Sequence, residues 1–195
     1  MITETLSGTT DMRTEVHVHG SIFLCKGVRL KQVEQALRPW LEYLDVETLA
    51  DAHSLEREEP GIAFDPRERT INICWTGEVG RSFQERLGNA FHNIGPLTEY
   101  ASEVEVTYYP DHGDDEFFQV FVGPSPEAIH EFRRQCVMED ATQLLSRHLG
   151  KAEVDQVANL ISELFGKNMP ERQPAPEQSG SSTVIPLHPR GKHLH

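Results

Sequence analysis

No apolar run in this chain of 195 residues is long enough to cross a bilayer. The opening Met1-Ile-Thr-Glu-Thr-Leu-Ser lacks the basic start and apolar core of an export signal, so neither insertion nor secretion is expected. Cysteine is scarce. Cys25, Cys74 and Cys136 are far apart, form no C-x-x-C pair and make no even-numbered framework, which reads as reduced thiols in a cytoplasmic protein. Positive charge is also scarce, with 18 Lys and Arg against 31 Asp and Glu and a formal net charge of −13. From Gly166 onward Lys167, Arg172, Arg190 and Lys192 outnumber Glu171 and Glu177, a local +2 that leaves −15 for the rest. Such a body repels phosphate backbones and anionic membranes, so direct nucleic-acid and membrane partners are not expected, whereas a protein with a basic surface is.

Catalytic signatures are missing as well. There is no G-x-S-x-G elbow, Walker loop or G-x-G-x-x-G turn, and no cysteine with a histidine at a family-specific spacing. No cofactor is expected on these grounds.

What is present is a readable alternation of strands and helices. From Glu15 to Cys25, Val16, Val18, Ile22 and Leu24 alternate with His17, His19, Ser21 and Phe23, the period of a strand with two different faces. Gly20 on the aliphatic face predicts a bulge or a close helix approach. Leu30, Val33, Leu37, Trp40, Leu41 and Leu44 then recur at helical spacing, with Pro39 inside the stripe predicting a kink or two abutting helices. Glu56-Arg-Glu-Glu-Pro reads as an exit loop.

Gly61–Phe64 and Thr70–Trp75 flank the turn-forming Asp65-Pro66 and predict a hairpin. A helix follows over 79–94, with Thr76 as its N-cap, Val79, Phe83, Leu87, Ala90, Phe91 and Ile94 as its buried stripe, and Gly95-Pro96 as its stop. Val104–Tyr109 and Phe117–Val122 make a second hairpin. Ser125-Pro126 opens a long helix ending near Gly150, and a second helix carries Val154, Val157, Ile161, Leu164 and Phe165.

The order predicts an α+β fold: a ferredoxin-like β-α-β-β-α-β core with an added fifth antiparallel strand and a C-terminal αα-hairpin. Residues 1–14 read as a disordered leader. One domain spans 15–165, with the core over 15–122 and the hairpin over 123–165, and 166–195 reads as a disordered tail.

The helices are expected to cover the aliphatic sheet face. The opposite face then carries His17, His19, Phe23, Glu105, Tyr109, Phe117 and Phe121, too aromatic for a solvated face and expected to be the binding face. The C-terminal hairpin or a second copy of the chain is expected to cover part of it. His17 and His19 lie about 7 Å apart along their strand and are weak metal candidates, with Glu105 or Cys74 on neighbouring strands as further donors. Asn72 and Cys74 stand where an RNA-binding sheet of this order would place stacking and basic residues. Asp111-His-Gly-Asp114-Asp115-Glu116 lacks the order of a calcium loop and reads as a solvated acidic hairpin tip.

The reading that follows is an acidic, cytoplasmic protein-binding module that occupies a basic, nucleic-acid-binding surface of a partner protein. A small-molecule or metal-dependent enzyme using the face around His17 and His19 is the alternative, and a structural homo-oligomer, such as a homodimer subunit, is the second.

Overall fold

The computed structural model describes residues 13–167, so most of the expected leader and tail falls outside the described residues. Five strands are present: β1 (Thr14–Phe23), β2 (Gly61–Asp65), β3 (Thr70–Val79), β4 (Ser102–Tyr109) and β5 (Glu116–Val122). The five helices among the described residues are α1 (Leu30–Ala36), α2 (Arg38–Tyr43), α3 (Phe83–Ile94), α4 (Pro126–Leu145) and α5 (Lys151–Lys167). The strands form one open sheet in the order β2-β3-β1-β4-β5, and every neighbouring pair is antiparallel.

Local chemistry explains most boundaries. Pro39 cannot continue the hydrogen-bond ladder of α1, so α1 stops at Ala36 and α2 starts at Arg38, with Leu37 between them and the proline in the first turn of α2. The β2–β3 turn is held by Asp65, whose carboxylate accepts hydrogen bonds from the N–H groups of Arg67 at 2.7 Å and Glu68 at 3.1 Å. These bonds also hold the Asp65 carboxyl below its ordinary range. Ser125 caps α4 by accepting from the Ala128 N–H at 3.2 Å.

The period-two split of β1 holds through its neighbours. Val16, Val18, Ile22, Ile71, Ile73, Trp75, Val104 and Val106 are buried with Val33, Leu37, Trp40 and Leu41 from the first helices and Phe83, Leu87, Phe91 and Ile94 from α3. Trp40 sits among aromatic rings, with centroid distances of 5.6 Å to Trp75, 6.3 Å to Phe83 and 6.1 Å to Phe91.

Three expectations need correction. β3 does not end at Trp75 but pairs with β1 as far as Val79, so Thr76 is a strand residue and α3 starts only at Phe83, after Ser82. Gly20 accommodates β4 rather than a helix, because a Cβ there would lie 2.9 Å from the Glu103 carbonyl oxygen. At the ends, Thr14 belongs to β1 and α5 runs to Lys167.

The fifth strand has a physical consequence. A helix is about 10 Å wide and strands lie about 4.8 Å apart, so two helices side by side in one layer cover about four strands. On the inner face of β5, Phe118 is only half-buried. A cleft of about 400 Å³ opens there, lined by Leu87 and Phe91 of α3, Val106 and Tyr108 of β4, and Phe118 and Val120 of β5. Burial in this region pushes the Tyr108 hydroxyl up to about 12.

Beyond Gly123, α4 attaches to the sheet at a small second cluster of Ala101, Phe121 and Ile129, joined by Phe132 and Cys136. Helices α4 and α5 meet through His130, whose ring lies 5.4 Å from that of Phe165, and through Arg134, which donates to Ser162 at 3.3 Å. Ile129→Asp should lift α4 from β5, because it places a carboxylate in that cluster. The expected result is new hydrophobic-dye binding and faster amide exchange in β5, with little change in β1 and β3. Unchanged dye binding and exchange would show that the helix is not held at this point.

Candidate functional site

The face turned away from α1, α2 and α3 is built by the alternate strand positions. Register sets it out in rows: Cys74, His19, Glu105 and Gln119 lie side by side across β3, β1, β4 and β5, and Thr76, His17, Thr107 and Phe117 form the next row. His17 and His19 stack with ring centroids 6.0 Å apart. Phe23 packs against Tyr100 at 5.0 Å, and both remain exposed.

The expected binding-face residues do not share one environment. Tyr109 is 39 % exposed, His19 and Glu105 are exposed, and Phe117 is half-buried. Phe121 is withdrawn from the face. It is 4 % exposed beneath α4, with the Phe132 ring 6.0 Å away. Helix α4 thus covers the Phe121 end of the face and leaves the His17 end open. Beside the covered end, Gln119 donates to the Glu103 carboxylate, and burial raises the Glu103 carboxyl despite that bond. Burial also pushes the Cys136 thiol up to about 11, with Glu103 adding to the shift. The acidic tip residues Asp111, Asp114, Asp115 and Glu116 are exposed at the far end of the β4–β5 hairpin.

The densest polar constellation lies at the open end. Strand β2 pairs only with residues 70–74 of β3, and the loop before it runs along the rest of that edge. There the Leu55 N–H donates to the Thr76 carbonyl at 2.7 Å, the Thr76 N–H donates to Ser54 Oγ at 2.9 Å, and Trp75 Nε1 donates to the His53 carbonyl at 3.0 Å. These bonds bring Glu59 onto the sheet. Its Oε1 accepts from Thr76 Oγ1 at 3.1 Å and lies 3.4 Å from His17 Nδ1, and its Oε2 accepts from Ser54 Oγ. His17 Nδ1 is 2.9 Å from Thr76 Oγ1.

One donor atom each from His17, Glu59 and Cys74 all lie within 4.8 Å of one another. Burial raises the Cys74 thiol above its ordinary value, and the neighbouring Glu59 charge adds to that. Of the two histidines expected as metal candidates, His17 joins this group and His19 does not, although His19 directly faces both Cys74 and Glu105 in register. Glu59 was invisible in the sequence, because its segment has the composition of an ordinary polar loop.

A model of a family described as a family of unknown function, DUF6806, matches residues 14–166, which is β1 through nearly all of α5. The chain belongs to DUF6806. No curated protein and no solved structure matches it. The match takes in the whole described site of this DUF6806 chain, including His17, Glu59 and Cys74. No helix among the described residues is long and apolar enough to cross a membrane.

Proposed function

We propose that the chain is an acidic protein-binding module that receives a basic surface of a partner protein on its open sheet face. The scaffold is read as a ferredoxin-like core extended by β5 at the β4 edge, with α4 and α5 as an appended αα-hairpin. The strand order and the antiparallel pairing support that reading. The observation that carries the functional reading is the chemistry of the open-side strand positions. Glu15, Glu78 and Glu105 are exposed there, with His17 and His19 beside them, and none of the open-side strand positions holds a lysine or arginine. Tyr109, Phe117 and Phe23 add flat surface suited to guanidinium stacking. A partner that uses such a basic surface for nucleic acid would be blocked by occupation of that surface.

The test is titration with a short lysine- and arginine-rich peptide, followed by amide chemical shifts. Shifts are expected at His17, His19, Glu105 and Tyr109. Affinity should fall steeply as salt rises, since charges are screened over about 10 Å at 0.1 M salt. The triple variant Glu15→Gln, Glu78→Gln, Glu105→Gln should weaken binding further. Salt-indifferent binding, or shifts confined to the β4–β5 tip, would overturn the reading.

A second reading, a homo-oligomer subunit, is supported by Val137, Leu144, Leu160 and Leu164, which stay exposed on α4 and α5. A dimer in light scattering that becomes a monomer on Leu144→Glu, Leu160→Glu substitution is its expected signature. A monomeric parent protein rules it out.

A further inference from the structure

The geometry points to a transition-metal site on the open face, and we propose that His17, Glu59 and Cys74 bind one zinc ion with a fourth position left open to solvent. The three donors come from three separate segments, β1, the loop before β2, and β3, and yet converge within 4.8 Å of one another. Zinc takes imidazole nitrogen and carboxylate oxygen at about 2.0–2.2 Å and thiolate sulfur at about 2.3 Å, so donors in a tetrahedral set lie roughly 3.5 Å apart. Metal binding therefore requires the three donors to close by up to about 1.3 Å.

The surroundings are those of a held ligand rather than of a free surface carboxylate. Hydroxyl groups donate to both oxygens of Glu59, Thr76 to one and Ser54 to the other. Ser54 is itself fixed, because its Oγ accepts from the N–H groups of Thr76 and Glu56. This is the outer layer that aims a carboxylate at a metal. Among the described residues, Glu59 lies within ion-pair distance of His17 rather than of a lysine or arginine.

The mixture of sulfur, nitrogen and oxygen donors selects the metal. A thiolate disfavours magnesium and calcium, whereas imidazole with thiolate suits zinc. On binding, the Cys74 S–H bond breaks, its proton leaves to buffer, and the sulfur lone pair forms the bond to zinc. No oxidation state changes. Three protein ligands with one open position is the arrangement of zinc that handles a water or an exogenous ligand, and not of a closed structural site.

The experiment uses the full chain without an affinity tag, freed of metal and then titrated with Co²⁺ as a coloured stand-in for Zn²⁺. One equivalent should bind, with a thiolate-to-cobalt charge-transfer band in the near ultraviolet that Zn²⁺ abolishes. Cys74→Ser should remove that band, while Cys25→Ser and Cys136→Ser keep it. Glu59→Gln, which keeps the side-chain shape, should weaken Zn²⁺ retention in equilibrium dialysis more than tenfold. Ser54→Ala should weaken it by about tenfold, the lower end of outer-layer effects. Absence of the band in the parent, or its persistence in Cys74→Ser, would overturn the assignment. Retention unchanged in both Cys74→Ser and Glu59→Gln would do the same.

Discussion

Val18→Asp should leave the chain unfolded at 25 °C, whereas His17→Ala, one residue away, should melt within about 5 °C of the parent. Val18 is fully buried in the central strand, opposite Trp75 on one side and Val106 on the other. A carboxylate placed there has no partner, and its burial costs several kcal/mol against a total stability of about 5–15 kcal/mol. His17 points to the other face. In the metal-free protein its removal loses the contact with Thr76 and the neighbouring Glu59 carboxylate and His19 ring at a part-exposed position, worth roughly 0.5–1.5 kcal/mol net, or a few degrees in a domain of this size. Thermal melts followed by circular dichroism compare the two directly. Equal losses would mean that the two faces of β1 are not segregated.

That contrast rests on the part of the fold most legible in the sequence. Alternation along β1 is visible because both sheet faces are chemically distinct, and the partners of each residue repeat the same alternation. The end of β3 was not legible for an equally physical reason. Val79 falls in step with Phe83 and Leu87 at helical spacing, so local pattern assigns it to α3. Pairing of Thr14 and Val16 with Val79 and Gly77 keeps it in the sheet instead.

The candidate site was legible only in part. His17 and Cys74 share a face by strand parity, which a sequence shows. Glu59 reaches that face because a loop folds along the free edge of β3, a long-range event with no local signature. Phe117 and Phe121 have the same parity on the same strand but different fates. Phe121 lies near Gly123 in the cluster that α4 forms with the sheet, and Phe117 stands outside that cluster and is half-buried. Parity assigns a face; only packing says what covers it.

Trp40→Ala should cost about 3–5 kcal/mol, the range for removing a large buried aromatic, while Trp40→Phe should cost much less than its loss of volume suggests. Trp40 is fully buried, and its ring meets Trp75, Phe83 and Phe91 edge-on. Truncation to alanine removes all three contacts and leaves a cavity bounded by rigid rings and the sheet, which cannot collapse to fill it. The indole Nε1, however, is buried without a protein acceptor among the described residues. A buried donor in that condition carries a desolvation cost of about 1–3 kcal/mol, which phenylalanine does not. The smaller ring keeps most of the edge-on contacts and sheds that cost, so the two terms oppose each other. Urea unfolding of the three proteins measures both differences at constant denaturant sensitivity. Should Trp40→Phe fall as far as Trp40→Ala, the indole N–H is satisfied in solution by a bound water, and the ring serves as a polar anchor as well as an apolar one. A small loss for phenylalanine beside a large one for alanine fits a site whose contribution is volume and aromatic contact.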